Sequence, residues 1–194
     1  VSEDESYYSH GAGFSADIRA MDTLNFNIDT RIMARENKDA SVLDGYRNRL
    51  TVNASYIASE TTQIQVSSTV STEETKTNIQ NNRDYGLNIS INKTFKLSFN
   101  CSQEPPVFYC LKNLPLSAGL SFGGSFREYA GPNPTIDPDT TRNDYTFRFS
   151  PSLTIPAGET MAILLSGGLT RVDSNIPNSE YDNISVTVGI SKQF

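Results

Sequence analysis

Apolar residues recur at every second position along most of this chain. Between residues 85 and 99 nearly every odd position is apolar or aromatic, with Lys93 as the exception. This spacing predicts β-strands, because successive side chains of a strand point to opposite faces. The pattern predicts nine strands, at residues 12–20, 24–32, 46–56, 64–70, 85–99, 116–126, 145–153, 161–169 and 184–194.

The predicted strand at residues 85–99 is unusually long. Strands of soluble proteins commonly run about 5–6 residues, whereas strands that cross a membrane need about 9–11. We therefore predict an all-β fold, an antiparallel transmembrane β-barrel that forms one domain over residues 1–194. A soluble β-sandwich adhesin is the alternative, and the long strands with their continuous apolar faces disfavour it.

The connections between predicted strands alternate in length. Three are short, at residues 21–23, 59–60 and 155–159, and four are long and polar, at residues 37–43, 72–83, 129–143 and 172–182. Outer-membrane barrels of bacteria have short periplasmic turns and longer extracellular loops. The alternation thus predicts a bacterial outer-membrane location. Residues 101–113 depart from it, as a longer insert on the periplasmic side.

Nine is an odd number of strands, whereas single-chain bacterial barrels normally have an even number. We therefore expect the chain to be the C-terminal part of a larger barrel with at least one strand before Val1, or another chain to supply the missing pairing. A miscount near residues 101–113 or in the N-terminal segment is the alternative. The acidic start, Val1–Glu5, does not look like a signal peptide, so we expect one to have been removed already.

Composition narrows the classes of function. The net charge of −6 argues against nucleic acid as a partner. Cys101 and Cys110 bracket a turn-forming stretch, which predicts a local disulfide in an oxidising compartment, with two reduced thiols as the alternative. No metal site is expected, because no histidine or second cysteine pair stands near them. No cofactor is predicted either.

The end of the chain carries a more specific pattern. Val186, Val188, Ile190 and the terminal Phe194 share one parity, interrupted by Lys192. This segment resembles the C-terminal β-signal of bacterial outer-membrane proteins, which implies recognition by the barrel-assembly machinery through Val188, Ile190 and Phe194. The segments 173–177 and 181–183 weakly resemble the final hairpin of barrels fused to tetratricopeptide repeats, such as the surface lipoprotein assembly modifier family. That resemblance brings no catalytic residue with it.

In a barrel the polar parity lines the lumen, and here it is rich in arginine. The candidate anion-binding residues are Arg31, Arg47, Arg49, Arg127 and Arg148. If the loop at residues 37–43 closes symmetrically, Arg31 and Arg49 lie nearly opposite each other. Rings of arginine suit anion pores, so this face predicts a constriction that favours anions. The alternative is a network of salt bridges that only stiffens the wall.

Two further features of the polar residues have competing interpretations. The stripe Ser117, Gly119, Ser121, Gly123 and Ser125 leaves room for water or a plug, or else marks a bend of the strand. Most acidic residues are predicted in the long loops, where they either hold divalent cations against lipopolysaccharide or simply confer solubility. These are Glu36, Asp39, Asp44, Glu73, Glu74, Asp84, Asp137, Asp139, Asp173, Glu180 and Asp182.

Catalysis is not expected, because the only histidine, His10, cannot be combined with Ser9 on one face of a strand. Three functions compete. The first is a pore for small, preferably anionic solutes. The second is an export or assembly barrel that acts with a partner or a missing N-terminal domain, and the third is a structural or adhesive surface barrel. The expected partners are outer-membrane lipid, lipopolysaccharide, the assembly machinery and further chains that complete or plug the barrel.

Overall fold

The computed structural model describes residues 7–37, 44–77, 79–97, 114–133, 135–157 and 160–192. These residues form nine β-strands and one turn of 3-10 helix, Pro177–Ser179. The strands are β1 (Tyr7–Met21), β2 (Leu24–Asn37), β3 (Gly45–Ser59), β4 (Thr62–Thr75), β5 (Asn82–Leu97), β6 (Leu114–Tyr129), β7 (Asn143–Pro156), β8 (Met161–Ser174) and β9 (Tyr181–Lys192). The prediction of nine strands in an all-β chain is confirmed.

All nine strands belong to one antiparallel sheet, in the order in which they follow along the chain. Each strand is hydrogen-bonded to the strands that precede and follow it in sequence. Turns at residues 22–23 and 60–61 lie at one end of the sheet. Residues 76–81, 130–142 and 175–180 connect strands at the opposite end, as the alternation of short and long connections predicts.

The register places residues of like polarity beside one another across the sheet. Ile89 of β5 lies opposite Val66 of β4 and Phe122 of β6. One residue earlier, Asn88 lies opposite Ser67 and Gly123. Because side chains alternate between faces, this register gives the sheet one apolar face and one polar face.

The large side chains of the apolar face are exposed. Leu87 is 52% exposed, Phe122 52% and Phe147 54%, although all three lie in the middle of the sheet. Among the described residues, the buried hydrophobic ones are Val172 and Ile176, both near the long-loop end. The apolar face therefore has no protein cover in the part of the chain that the structure describes. Across these same residues, no helix is long and apolar enough to cross a membrane.

The strands are longer than the sequence pattern predicts, and the long loops are correspondingly shorter. Pairing of β4 with β5 continues to Glu73 and Asn82. The prediction that places the acidic residues in the long loops is therefore wrong for those that lie in strands, which are Glu36, Glu73, Glu74, Asp84, Asp173 and Asp182. Near the strand ends both parities are polar, so apolar alternation cannot reveal where backbone pairing stops.

The sheet is open along β1 and β9. In the described residues neither strand has a second neighbour, so closure into a barrel stays a prediction. Both edge strands run towards the end that carries the turns at residues 22–23 and 60–61, because nine antiparallel strands in sequence order alternate in direction. The predicted insert at 101–113, with Cys101 and Cys110, lies outside the described residues, as does Phe194.

Candidate functional site

The polar face carries most of the charged groups of the strands. One row across the sheet reads Gly13, Arg31, Arg49, Ser71, Asp84, Arg127, Asp144 and Ser174 in β1 to β8. This row lies towards the long-loop end of the sheet, because it includes Asp144, the second residue of β7, and Ser174, the last residue of β8. Arg31, Arg49 and Arg127 lie in this row, and Arg47 and Arg148 have the same parity in β3 and β7. All five candidate anion-binding arginines thus share the polar face of a single sheet.

Arg31 and Arg49 are direct cross-strand partners, as predicted from the symmetry of their loop. Like charges that face each other across a ladder destabilise the pairing. The pair therefore requires compensating negative charge nearby. One such charge is Asp29, whose Oδ1 accepts a hydrogen bond from Nε of Arg31 at 3.1 Å.

Two other candidate arginines are held by carboxylates on neighbouring strands. Nη2 of Arg127 donates to Oδ2 of Asp84 at 2.6 Å, and its Nε donates to the same oxygen at 3.0 Å. Nη2 of Arg47 lies 3.1 Å from Oε2 of Glu73, and the other carboxylate oxygen, Oε1, lies 4.0 Å from Nη1 of Arg35. These ion pairs link β2 and β3 to β4, and β5 to β6, so they stiffen the wall.

Glu73 and Asp84 also belong to the polar face, although the sequence pattern predicts them in loops. A signal for them is present, because Glu73 has the parity of Thr69 and Ser71, and Asp84 has the parity of Asn88. Extending each strand by parity of its polar residues would have found both. The polar face is consequently less positive than the predicted set of arginines implies.

Arg49 and Arg148 differ from the other three candidates. Within the described residues neither makes an ion pair or a side-chain hydrogen bond, and both are exposed. Arg49 lies in β3, while Arg148 lies in β7, four strands away in the sheet. These two guanidinium groups are therefore free to meet an anion at the polar face.

A group of amide side chains lies two rows closer to the short turns. Nδ2 of Asn27 donates to Oδ1 of Asp17 at 2.8 Å and lies 3.1 Å from Oγ of Ser15. Nδ2 of Asn53 in turn donates to Oδ1 of Asn27 at 3.1 Å. This chain of hydrogen bonds connects β1, β2 and β3 and keeps Asp17 away from the arginines.

The stripe of small residues in β6 makes room for neighbouring side chains. A Cβ atom on Gly119 would lie 2.5 Å from Oγ of Ser152 and 2.7 Å from Oδ1 of Asn92. A Cβ atom on Gly123 would lie 3.0 Å from Oδ1 of Asn88. The space above these glycines is thus already occupied from β5 and β7, an arrangement that neither interpretation of the sequence anticipates.

At the long-loop end, side chains pack against one another. Asp144 is 5% exposed and accepts hydrogen bonds from Nε of Arg142 at 2.8 and 2.9 Å, and this contact raises the pKa of Arg142. The guanidinium of Arg142 also stacks 5.0 Å from the ring centre of Tyr129. Asn175 connects the loop at residues 175–180 to the loop at residues 130–142, because its Nδ2 donates to the carbonyl oxygen of Thr141 at 2.8 Å. These contacts order this end of the sheet.

The loop at residues 130–142 contains a local turn. Asn133 and Asp137 form a β-bridge, and Oδ1 of Asp137 accepts a hydrogen bond from the backbone N–H of Asp139 at 3.0 Å. That bond and one to Thr140 lower the pKa of Asp137. The carboxylate of Asp137 therefore makes its hydrogen bonds within its own loop.

His10 lies on the apolar parity of β1 and is exposed, away from the polar face. In the described ranges no group of three or more His, Cys, Asp or Glu side chains could hold a metal ion. Val188 and Ile190 of the proposed assembly signal lie in β9, on the apolar face, and are 67% and 72% exposed. No protein-family model matches this chain, and no curated protein matches it either.

Proposed function

We propose that this protein is a transmembrane β-barrel of the bacterial outer membrane that forms a passage for small, preferably anionic solutes. The observation that carries the proposal is the exposed apolar face, which runs across nine strands of 12 to 16 residues. Exposed apolar surface on this scale marks an interaction with lipid or protein. Lipid contact explains why every strand contributes to the face.

The strand lengths suit a membrane. A strand of 14 residues, such as β4, spans about 46 Å at about 3.3 Å per residue. Tilted by about 45°, it covers about 33 Å along the membrane normal, more than the apolar band of about 25 Å of outer-membrane barrels. The surplus leaves a few residues at each end outside the hydrocarbon.

Aromatic side chains support the same placement. Tyr85, Phe126 and Tyr145 are neighbours in one row of the apolar face, and the rings of Phe126 and Tyr145 lie 4.9 Å apart. Such a row near the long-loop end is typical of an aromatic girdle at a membrane interface. Tyr181, by contrast, has the parity of the polar residues of β9, so it does not belong to this row.

The strand directions constrain how a barrel could close. Because β1 and β9 run the same way, direct pairing would create one parallel seam in an otherwise antiparallel sheet. An odd number of additional strands between them gives an even, fully antiparallel barrel, the form usual in bacteria. We propose that the native barrel contains such strands, either from the same polypeptide or from another.

Disulfide trapping tests this closure. Cysteine pairs that join Ser15 of β1 to Ser185, Thr187 or Gly189 of β9 are introduced after Cys101 and Cys110 are replaced by serine. We expect none of the pairs to oxidise within a folded monomer, because a strand separates the two edges. Rapid intrachain oxidation of one pair would show a nine-stranded barrel with a parallel seam.

The preference for anions rests on Arg49 and Arg148. These arginines have no ion pair in the described residues, so their positive charge is available to a solute in the passage. Cationic groups that line a pore lower the electrostatic barrier for anions. Arg31, Arg47 and Arg127, with their carboxylate partners, contribute less.

Conductance in a planar lipid bilayer with a salt gradient tests the function. We expect steady channels with a reversal potential that favours anions, and a shift towards cations in Arg49→Glu with Arg148→Glu. Arg171→Glu is the matched control, because Arg171 lies on the apolar parity of β8. A silent membrane that contains folded, inserted protein would instead favour an export or assembly barrel that acts with a partner.

A further inference from the structure

We propose that Arg31 and Arg49 together form a saturable binding site for an oxyanion, the charged end of a carboxylate or phosphate compound. The inference deepens the proposed function, since it names the chemical group that the polar face holds as solutes pass. It rests on the pairing of these two residues, on the groups that surround them, and on the chemistry of guanidinium.

The pairing brings two positive charges together without an equal number of negative ones. Arg31 and Arg49 face each other across the ladder between β2 and β3. On their outer sides the register places Gly13 of β1 and Ser71 of β4, neither of which carries charge. The two guanidinium groups therefore have no acidic cross-strand neighbour on either flank.

The carboxylates nearest to the pair are largely engaged elsewhere. Asp29 accepts one hydrogen bond, from Nε of Arg31. Glu73, in the next row, contacts Arg47 and Arg35, and Asp17 accepts from Asn27. Asp29 thus compensates Arg31 alone, which leaves the positive charge of Arg49 uncompensated at this point of the polar face.

The donors that remain are suited to oxygen atoms. With its Nε bound to Asp29, Arg31 keeps both terminal nitrogens for another acceptor, and its side chain is 64% exposed. In the described residues no acceptor contacts the guanidinium of Arg49. Guanidinium presents its N–H groups as a rigid fork that matches the spacing of carboxylate and phosphate oxygens. A chloride ion satisfies this fork less well.

Isothermal titration of the folded protein in detergent micelles with inorganic phosphate tests the site, with sodium chloride adjusted to hold the ionic strength constant. We expect one saturable site in the native chain. Arg31→Gln and Arg49→Gln should each weaken binding roughly tenfold or more, because each removes charge-assisted hydrogen bonds. Arg171→Gln makes the same change of charge on the apolar parity and should bind phosphate as the native chain does.

Arg49→Lys separates geometry from charge. It keeps the positive charge but removes the fork, so we expect binding between that of the native chain and that of Arg49→Gln. Circular dichroism and heat-dependent mobility on gels verify that each variant is folded. Equal binding by the native chain, Arg31→Gln and Arg49→Gln, or uptake that never saturates, would overturn the proposal.

The phosphate titration and the conductance measurement test the binding site and the passage separately. Anion-selective channels without saturable phosphate binding would refute the site and leave the passage in place. Saturable binding by a protein that gives no conductance when inserted would refute the passage and keep the site.

Discussion

The two faces of this sheet are built from the same nine strands but are organised differently. On the apolar face, Ile89 and Phe122 are exposed neighbours that make no polar contact. On the polar face, one residue away along each strand, Oγ of Ser121 donates to Oδ1 of Asn88 at 2.8 Å. The polar face thus satisfies many of its groups within the protein, whereas the apolar face needs an apolar environment from outside. Each face should respond in its own way to the same substitution.

The largest expected effect comes from charge on the apolar face. Ile89→Arg places a guanidinium in the lipid-facing band, where an arginine near the midplane costs about 2–4 kcal/mol of folding free energy. Folding into lipid vesicles, followed by circular dichroism in urea, should show this loss. Asn88→Arg, on the polar face of the same strand, is the matched control and should fold with a smaller loss. Equal losses in the two variants would argue against lipid contact.

A smaller effect is expected from removing one carboxylate of the polar face. Glu73→Gln leaves Arg47 and Arg35 without their shared partner, so anion preference in planar bilayers should rise. The free energy of unfolding should fall by no more than about 1 kcal/mol, as is usual for partly exposed ion pairs. The control is Glu74→Gln, one residue on and of the opposite parity, which should change neither quantity. A fall in anion preference for Glu73→Gln would contradict the prediction.

Adjacent glycines of β6 allow the width of the passage to be tested. Gly123→Leu adds bulk on the polar face beside Asn88 and Arg148 and should lower single-channel conductance. Gly124→Leu adds the same bulk on the apolar face, where a Cβ atom meets only the carbonyl of Thr146 at 3.8 Å, and should leave conductance unchanged. A reduced conductance in the Gly124 variant alone would reverse our assignment of the two faces.

The smallest expected effect lies in the loop at residues 130–142. The pKa of Asp137 is lowered by the backbone N–H of Asp139 and by Thr140. The ionised carboxylate therefore stabilises the turn above the ordinary pKa of aspartate, and this stabilisation is lost as the pH falls through the lowered value. Carbon-detected NMR titration, with Asp137→Asn to assign the signal, should give a pKa below that of aspartate in an unstructured peptide. A normal or raised value would show that the turn does not hold the carboxylate.

Two charged pairs in the same row of the polar face were predictable to different degrees. The opposition of Arg31 and Arg49 follows from the lengths of β2, β3 and their loop, so symmetry of the hairpin was sufficient to predict it. The pairing of Arg127 with Asp84 joins residues 43 positions apart in sequence. It depends on the register of β5 against β6, whose connection is too long for symmetry to fix that register.

Sequence alone determined the strands and the two faces, because the alternation of apolar and polar residues can be read from neighbouring positions. A one-residue slip in register would turn every side chain to the other face. It also determined that the arginines share a face. Only the tertiary structure decided which arginines are neutralised, since ion pairs depend on register and on how far the strands extend. The burial of Val172 and Ile176, where the 3-10 helix packs against β8, was decided at that level too. Parity cannot foresee it, because that contact forms where a loop folds back on the sheet.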